Sequence, residues 1–135
     1  MKLYVVMGLG QFGWHTAVTL YQEGVDVLAI DRNNKKVERI KDLVGQAVCM
    51  DATDPEGLES MQVNRAHAAI LGFGESQLEA SILCCAALND LGIGKIIVRS
   101  SNPTHGRILK RVGAHRVVYP EKQMAQHLAA SLVKP

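Results

Sequence analysis

The sequence predicts an α/β fold in which six parallel strands form one doubly wound sheet. Two observations carry this prediction. Short runs rich in β-branched residues alternate with longer amphipathic stretches along the whole chain, which is typical of βαβ units. A glycine-rich turn also follows the first run directly, as it does in the first unit of such sheets. The 135 residues suffice for one domain, so we expect a single domain over residues 1–135.

Six runs of apolar and β-branched residues are the predicted strands. Each run is short, as expected for strands that are buried on both faces of a parallel sheet. Helical stretches separate every pair, so the strands should be joined by helical crossovers rather than by hairpins. The predicted strands are Leu3–Met7, Asp26–Ile30, Gln46–Met50, His67–Gly72, Lys95–Arg99 and Arg116–Tyr119.

Capping residues mark the ends of the predicted helices. The predicted starts are Asn33 or Asn34 for the second helix, Asp54-Pro55 for the third, Ser76 for the fourth, Asn102-Pro103 for the fifth and Pro120 for the sixth. The predicted ends of the first, fourth and fifth helices are Gly24, Gly92 and Gly113. The last helix should carry one apolar stripe, because Met124, Leu128 and Leu132 recur every four residues.

The composition is that of a globular protein without a nucleic-acid partner. Hydrophobic residues make up 47% of the chain and charged residues 21%, a balance that argues against disorder. The formal charge is only +2 and aromatic residues make up 4%, without the clustered Lys and Arg of nucleic-acid binding. No apolar run reaches the roughly 18 to 20 residues that cross a bilayer, so we expect a cytoplasmic chain with no direct membrane insertion.

The cysteines and histidines do not indicate a metal or redox site. Cys49, Cys84 and Cys85 lack C-x-x-C spacing and lie among apolar residues, so we interpret all three as buried structural thiols. The five histidines are scattered through the sequence without the spacing of metal ligands. No nucleophile motif of the G-x-S-x-G or Walker type occurs. We therefore predict no catalytic residue.

The glycine-rich turn joins the first strand to the first helix and reads Gly8-Leu9-Gly10-Gln11-Phe12-Gly13. Gly8 permits a tight turn, Gly10 lets the backbone approach a pyrophosphate, and Gly13 lets the helix pack closely on the strand. The free amides and the helix dipole at this end favour phosphate. The motif therefore predicts a Rossmann domain that binds an adenine nucleotide with its phosphates at residues 10–13.

An acidic residue at the end of the second strand supports this prediction. Asp31 lies 18 residues beyond Gly13, close to the spacing of about 20 at which such domains place the acid that binds ribose hydroxyls. The next residue, Arg32, is able to bind a 2′-phosphate, but the carboxylate of Asp31 should repel that group. We therefore favour ligands with a free 2′-hydroxyl and expect Arg32 to stack on adenine or to point to solvent.

Two further turns should border the same crevice. Asp51-Ala52-Thr53 follows the third strand, where Asp51 is placed to read the exocyclic amine of adenine. The alternative is that Asp51 and Thr53 only shape the turn, and for Asp54 we favour a helix cap. The nucleotide should lie over the carboxyl ends of the first and fourth strands, and the turn after the fourth strand is Gly72, Phe73 and Gly74.

Two motifs near the end of the chain complete a recognisable pattern. They are Val112-Gly113-Ala114-His115-Arg116-Val117-Val118 and Tyr119-Pro120-Glu121-Lys122. Together with the glycine loop, Leu28-Ala29-Ile30-Asp31 and Asp51-Ala52-Thr53, they make the chain similar to the nucleotide-binding domain of Trk/Ktr potassium-uptake regulatory subunits, the N-terminal RCK domain. This resemblance covers nearly all of the chain, and the two late motifs are more specific than the glycine loop.

The resemblance implies a homodimer that assembles into a larger cytoplasmic ring, peripheral to the inner face of the membrane. The ring would bind NAD(H), ATP, ADP or AMP and gate a membrane potassium channel or transporter subunit. Glu121 would lie near the phosphates at a dimer interface and help to hold a divalent cation, and Arg99 would direct positive charge towards the phosphates. The chain departs from the family at Gln11, where ATP-binding members carry arginine.

The alternative interpretation is the cofactor-binding fragment of an NAD-dependent oxidoreductase, because one fold serves many functions. A dehydrogenase also needs a substrate site and an acid/base group beside the cofactor. Tyr119 and Lys122 are one residue too close for the tyrosine-lysine pair of short-chain dehydrogenases, and after the sixth strand only one helix remains. We therefore predict a regulatory sensor and no enzymatic activity.

Overall fold

The computed structural model describes residues 2–135 and contains one sheet of six parallel strands. The prediction of the fold class is confirmed. Each strand lies within one residue of its predicted bounds at both ends. The strands are β1 (Leu3–Met7), β2 (Asp26–Asp31), β3 (Gln46–Cys49), β4 (Ala68–Leu71), β5 (Ile96–Arg99) and β6 (Arg116–Val118).

Helices occupy every connection between the strands, as expected for parallel neighbours. Short 3-10 turns at Val63–Arg65 and Glu75–Gln77 precede β4 and the fourth helix. The helices are α1 (Gln11–Gln22), α2 (Asn34–Ile40), α3 (Pro55–Ser60), α4 (Leu78–Asp90), α5 (Pro103–Arg111) and α6 (Pro120–Val133).

The strand order is β3-β2-β1-β4-β5-β6. Strands β2 and β3 therefore extend the sheet on one side of β1. Strand β4 pairs with the other side of β1, and β5 and β6 extend the sheet in that direction. The helices diverge where the order reverses, which opens a crevice above the carboxyl ends of β1 and β4. The glycine loop and the turns after β2, β3 and β4 all lie at this edge of the sheet.

Two apolar cores cover the two faces of the sheet. Alternate residues of β1 divide between them, because successive side chains of a strand point to opposite faces. Val5 and Met7 pack in one core with residues of α4 and α5, whereas Val6 packs in the other with α1 and α2. All three side chains are fully buried, so β1 is held from both sides and fixes the position of the glycine loop.

The predicted caps are confirmed for α2, α3 and α5. The side chains of Asn33, Asp54 and Asn102 accept hydrogen bonds from amides in the first turn of each helix. The prediction for Ser76 is wrong, because Ser76 lies inside the 3-10 turn and α4 begins two residues later without a side-chain cap. The turn is closed instead by Gln77, whose side-chain oxygen accepts from the Gly74 amide at 3.4 Å.

The prediction of three buried thiols holds for two of the cysteines. Cys84 and Cys85 are buried in α4, and burial raises the pKa of both thiols, that of Cys85 to about 11. Cys49 is exposed and is the last residue of β3, which lies at the edge of the sheet. Within residues 2–135, no helix is both long and apolar enough to cross a membrane.

Candidate functional site

Three glycines bring the glycine loop and the turn after β4 into backbone contact. Gly8 has a φ of +87°, and a Cβ there would lie 2.8 Å from the Phe73 amide nitrogen. A Cβ at Gly13 would overlap the Gly8 carbonyl, and a Cβ at Gly72 would lie 2.6 Å from the Gly13 Cα. These three positions therefore exclude a side chain for reasons of packing alone.

Gly10 differs from the other glycines of this site. Its φ and ψ are −72° and −169°, an extended conformation that any residue adopts. A Cβ at Gly10 would meet only the Gly72 carbonyl oxygen, at 3.4 Å, which is ordinary contact. The fold therefore does not need glycine at position 10, whereas close approach of a ligand to the loop would need it.

The first turn of α1 begins next to Gly10 and has the properties of an anion site. No side chain caps the helix, and its first turn contains no acidic residue. The first amides of a helix have no intrahelical acceptor, and the dipole adds positive potential there. A nucleotide phosphate fits this group of amides in charge and in hydrogen-bonding capacity.

Asp31 links the end of β2 to the glycine loop. Its Oδ2 accepts a hydrogen bond from the Leu9 amide at 2.7 Å, and its Oδ1 accepts from the Asn33 amide at 2.8 Å. The Leu9 contact was missed by sequence reasoning, since it joins residues 22 apart in the chain. Carboxylate oxygens accept more than one hydrogen bond, so Asp31 remains able to receive ribose hydroxyls while it holds the loop.

Asp51 closes its own turn. Its Oδ1 accepts from the amide and the hydroxyl of Thr53, at 2.9 and 2.7 Å. These hydrogen bonds hold the pKa of the Asp51 carboxyl below its usual range, so Asp51 is ionised at neutral pH. Ala52 between them is buried, whereas Arg32 across the crevice is exposed. The turn-shaping role considered for Asp51 and Thr53 is thus present in the structure.

The crevice that these residues line is narrow. Gly8, Asp31, Arg32, Asp51, Ala52, Thr53 and Phe73 all border it. Its cavity volume is about 20 Å³, whereas small-ligand pockets hold roughly 300 Å³ or more. The cavity as it stands is therefore too small for adenine, and the exposed Arg32 lies at its border.

A wider groove of about 680 Å³ runs between α1 and α6 on the other side of the glycine loop. Gln11 is exposed at its rim, and Phe12 is half-buried in its wall against the core beneath α1. Glu121 and Met124 form the opposite wall. The groove is mostly apolar, and its polar lining includes Gln11 at the start of α1. Gly74 does not line either space and has open surroundings.

Arg99 and Glu121 form an ion pair at the end of β5. The Arg99 Nη2 lies 2.8 Å from the Glu121 Oε2, and the Arg99 Nη1 donates to the Phe73 carbonyl at 3.5 Å. The hydrogen bond from Arg99 holds the pKa of the Glu121 carboxyl below its usual range. Among residues 2–135, no group of three or more His, Cys, Asp or Glu side chains is placed to hold a metal ion, so Glu121 alone would need ligands from elsewhere.

A buried polar network next to Arg99 was not predicted. The His105 ring lies between two hydroxyls, with Nε2 at 2.7 Å from the Ser81 Oγ and Nδ1 at 2.8 Å from the Ser100 Oγ. All three residues are buried, and burial lowers the pKa of His105. The network ties the turn after β5 to α4, which fixes the backbone beside Arg99. Sequence spacing gives no signal for it, since Ser81 and His105 are 24 residues apart.

Comparison with known proteins assigns the family. Residues 4–120 match the TrkA-N domain, a stretch that runs from the second residue of β1 to the first residue of α6. The chain belongs to the TrkA-N domain family. Potassium uptake proteins C and A of the Ktr system of Bacillus subtilis (strain 168) are 35% and 34% identical to it over 98% and 97% of its length. The chain spans 59% of the length of each of these relatives.

A solved structure shows the same architecture for this TrkA-N domain. The NAD(P)-binding domain of an exopolyphosphatase-related protein from Archaeoglobus fulgidus superposes with a TM-score of 0.86 at 25% identity. The superposition covers 98% of both chains. The order of strands and helices in the present chain is therefore that of a nucleotide-binding Rossmann domain.

Proposed function

We propose that this TrkA-N domain is a regulatory module that binds an adenine nucleotide and gates a potassium channel or transporter through a conformational change. One observation supports the binding site above all others. Gly10 lacks a side chain although the fold tolerates one, and it stands beside an uncapped helix start. The ligands that suit the site are NAD(H), ATP, ADP and AMP. The Ktr relatives supply the link to potassium uptake.

In the proposed complex the phosphates lie on the backbone of residues 10–13, and the ribose hydroxyls bind Asp31. The adenine enters the crevice beside Asp51-Ala52-Thr53, with Arg32 against its face. Gly72 and Phe73 form the floor next to the glycine loop, since their backbone touches Gly8 and Gly13. Glu121 recruits a divalent cation only together with oxygens of the bound phosphates.

The assembly that we propose follows the family. The chain acts in a homodimer within a larger ring, at the inner face of the cell membrane, against a potassium channel or transporter subunit. No catalytic role is proposed, and the two carboxylates next to the glycine loop have other partners: Asp31 accepts from the Leu9 and Asn33 amides, and Glu121 is engaged by Arg99. The oxidoreductase interpretation would require the purified chain to oxidise or reduce a nicotinamide cofactor at a steady rate.

A thermal-shift panel with ATP, ADP, AMP, NAD, NADH and NADPH tests the proposal. A ligand that binds only the folded state at about 100 times its Kd stabilises it by about 2.7 kcal/mol, so at least one nucleotide should raise the Tm. Gly10→Val should abolish that rise without lowering the Tm of the free protein much. Gly94→Val is the matched control, because Gly94 is exposed with open space around it. Unchanged nucleotide affinity in Gly10→Val would refute the proposed site.

A further inference from the structure

The side chain of Arg99 is nearly buried and only partly used. It is 11% exposed, and its two hydrogen bonds go to the Phe73 carbonyl and to Glu121. A guanidinium has five N–H donors and no acceptor. Phe73 follows Gly72, whose carbonyl oxygen is the atom that a Cβ at Gly10 would meet, at 3.4 Å. Arg99 therefore stands at the border of the glycine loop with donors to spare.

Glu121 is the point at which α6 is attached to this border. No residue of α6 is buried. Among residues 2–135, the Arg99 contact is the only side-chain hydrogen bond between α6 and a residue that precedes Tyr119. The helix otherwise carries its apolar stripe outwards, with Met124, Leu128 and Leu132 all more than half exposed. Because α6 has no buried residue and no other side-chain hydrogen bond of this kind, even a weak ion pair affects how the helix is held.

We propose that Glu121 occupies Arg99 in place of a nucleotide phosphate, and that a bound diphosphate takes Arg99 over and thereby releases α6. The proposal rests on the proposed nucleotide site and adds how occupancy of that site is passed to the rest of the molecule. The pair acts as an internal latch: it is closed without ligand and open with it.

The charges favour this exchange. Glu121 is a single carboxylate that is 63% exposed, and exposed ion pairs contribute little to stability because water screens them. A diphosphate carries more negative charge and offers a guanidinium two parallel hydrogen bonds. The amides at the start of α1 would hold it on the opposite side. Arg99 therefore gains a better partner when the ligand binds, while Glu121, in the absence of a divalent cation, returns to solvent at small cost.

The affinity for ADP, measured by titration calorimetry in EDTA, tests the competition. Glu121→Gln should bind ADP about threefold more tightly than the wild-type chain, since the internal competitor loses its charge. Glu79→Gln is the matched control, because Glu79 is an exposed acid in the first turn of α4 and forms no ion pair with any of residues 2–135. Adenosine, which has no phosphate, should bind both variants like the wild type. Equal or weaker ADP binding by Glu121→Gln would overturn the latch.

Arg99→Gln separates competition from a general effect of charge. This variant should bind ADP more weakly, and in its background Glu121→Gln should no longer change the affinity. If Glu121→Gln strengthened ADP binding equally with and without Arg99, the effect would come from net charge and the latch would be refuted.

Hydrogen exchange of the amides of residues 121–133 reads the release of α6 directly. Exchange should become faster when the wild-type chain binds ADP, and it should already be fast in Glu121→Gln without ligand. Glu79→Gln should exchange like the wild type. Failure of the wild-type chain to bind ADP would contradict both the nucleotide site and the latch. ADP binding with unchanged or slower exchange in α6 would contradict the latch alone.

Discussion

At the scale of single residues, the site combines groups that support the fold with groups that are free to meet a ligand. Gly13 belongs to the first kind, because its Cβ would overlap the Gly8 carbonyl. We assign Gly10 to the second, because its backbone is extended and a Cβ there would meet only the Gly72 carbonyl oxygen, at 3.4 Å. Asp31 belongs to both, since it holds the Leu9 amide and keeps lone pairs for ribose hydroxyls.

Asp31 should make the site prefer a free 2′-hydroxyl. A 2′-phosphate would meet a carboxylate that the loop already holds in place, so NADPH should bind at least about tenfold more weakly than NADH, or about 1.4 kcal/mol. Titration calorimetry of both cofactors measures the ratio. Asp31→Asn should reduce the ratio of NADH to NADPH affinity, because the negative charge of the carboxylate is lost. Equal affinities in the wild-type chain would mean that Arg32 decides the selection instead.

Gln11 should make the site respond weakly to a third phosphate. A charge-assisted hydrogen bond contributes roughly 1.5 to 3 kcal/mol, and a neutral one about 0.5 to 1.5. We expect Gln11→Arg to raise the affinity for ATP more than that for ADP, as measured with and without magnesium. Thr19→Arg adds the same charge to the exposed face of α1 about 12 Å further along the helix and is the control.

A strong preference of the wild-type chain for ATP without metal would contradict the role given to Gln11. It would show that another cation near the loop already meets the third phosphate, and Arg99 would be the first residue to test.

At the scale of elements, the packing of α1 on β1 and β4 decides whether the site exists. The helix starts where the Gly8, Gly13 and Gly72 backbones touch, so its amides are aimed at the crevice by contacts that allow no side chain. The turn after β5 is positioned differently, through the His105 network to α4. The glycine contacts and the His105 network thus each attach a turn at the edge of the sheet to a helix.

Gly13→Ala and Gly10→Ala should therefore differ sharply in stability. The alanine Cβ at position 13 would push α1 away from the Gly8 carbonyl, and such overpacking costs roughly 1 to 3 kcal/mol or more. At position 10 the loss should stay within about 1 kcal/mol, the typical difference between residues at a helix N-cap. Urea unfolding measures both. A Gly13→Ala chain as stable as Gly10→Ala would show that α1 adjusts more easily than its packing suggests.

At the scale of the whole molecule, the domain is a sheet with a candidate ligand edge and a last helix that has no buried residue. The candidate ligand edge is built by residues from both halves of the doubly wound sheet. The last helix carries an exposed apolar stripe. This arrangement suits a sensor, because occupancy at the edge is able to change how α6 is held without unfolding the core.

A sensor of this kind should not turn its ligand over. The purified chain should neither oxidise NADH with simple carbonyl substrates nor hydrolyse ATP, because the two carboxylates of the crevice, Asp31 and Asp51, already accept hydrogen bonds from amides of the domain. Absorbance at the NADH band and release of inorganic phosphate are the measurements. A steady rate that disappeared on changing a residue of the crevice would restore the oxidoreductase or nucleotidase alternative.

The sequence by itself determined the elements and the motif. Hydrophobic periodicity and capping residues act within a few neighbours along the chain, so all six strands and the caps at Asn33, Asp54 and Asn102 were predictable. The glycine spacing and Asp31 placed the candidate site for the same reason. The prediction that Ser76 caps α4 was wrong, because Gln77 closes the turn after β4 and α4 begins only at Leu78.

Only the tertiary structure decided which of these residues meet. The reversal of strand order puts β4 beside β1, and this brings Gly72 against Gly13. The same sheet sets Arg99 against Glu121, 22 residues further along the chain, and leaves Cys49 exposed on the edge strand. No local pattern encodes such contacts, because they depend on the order in which strands assemble and on which faces the helices cover.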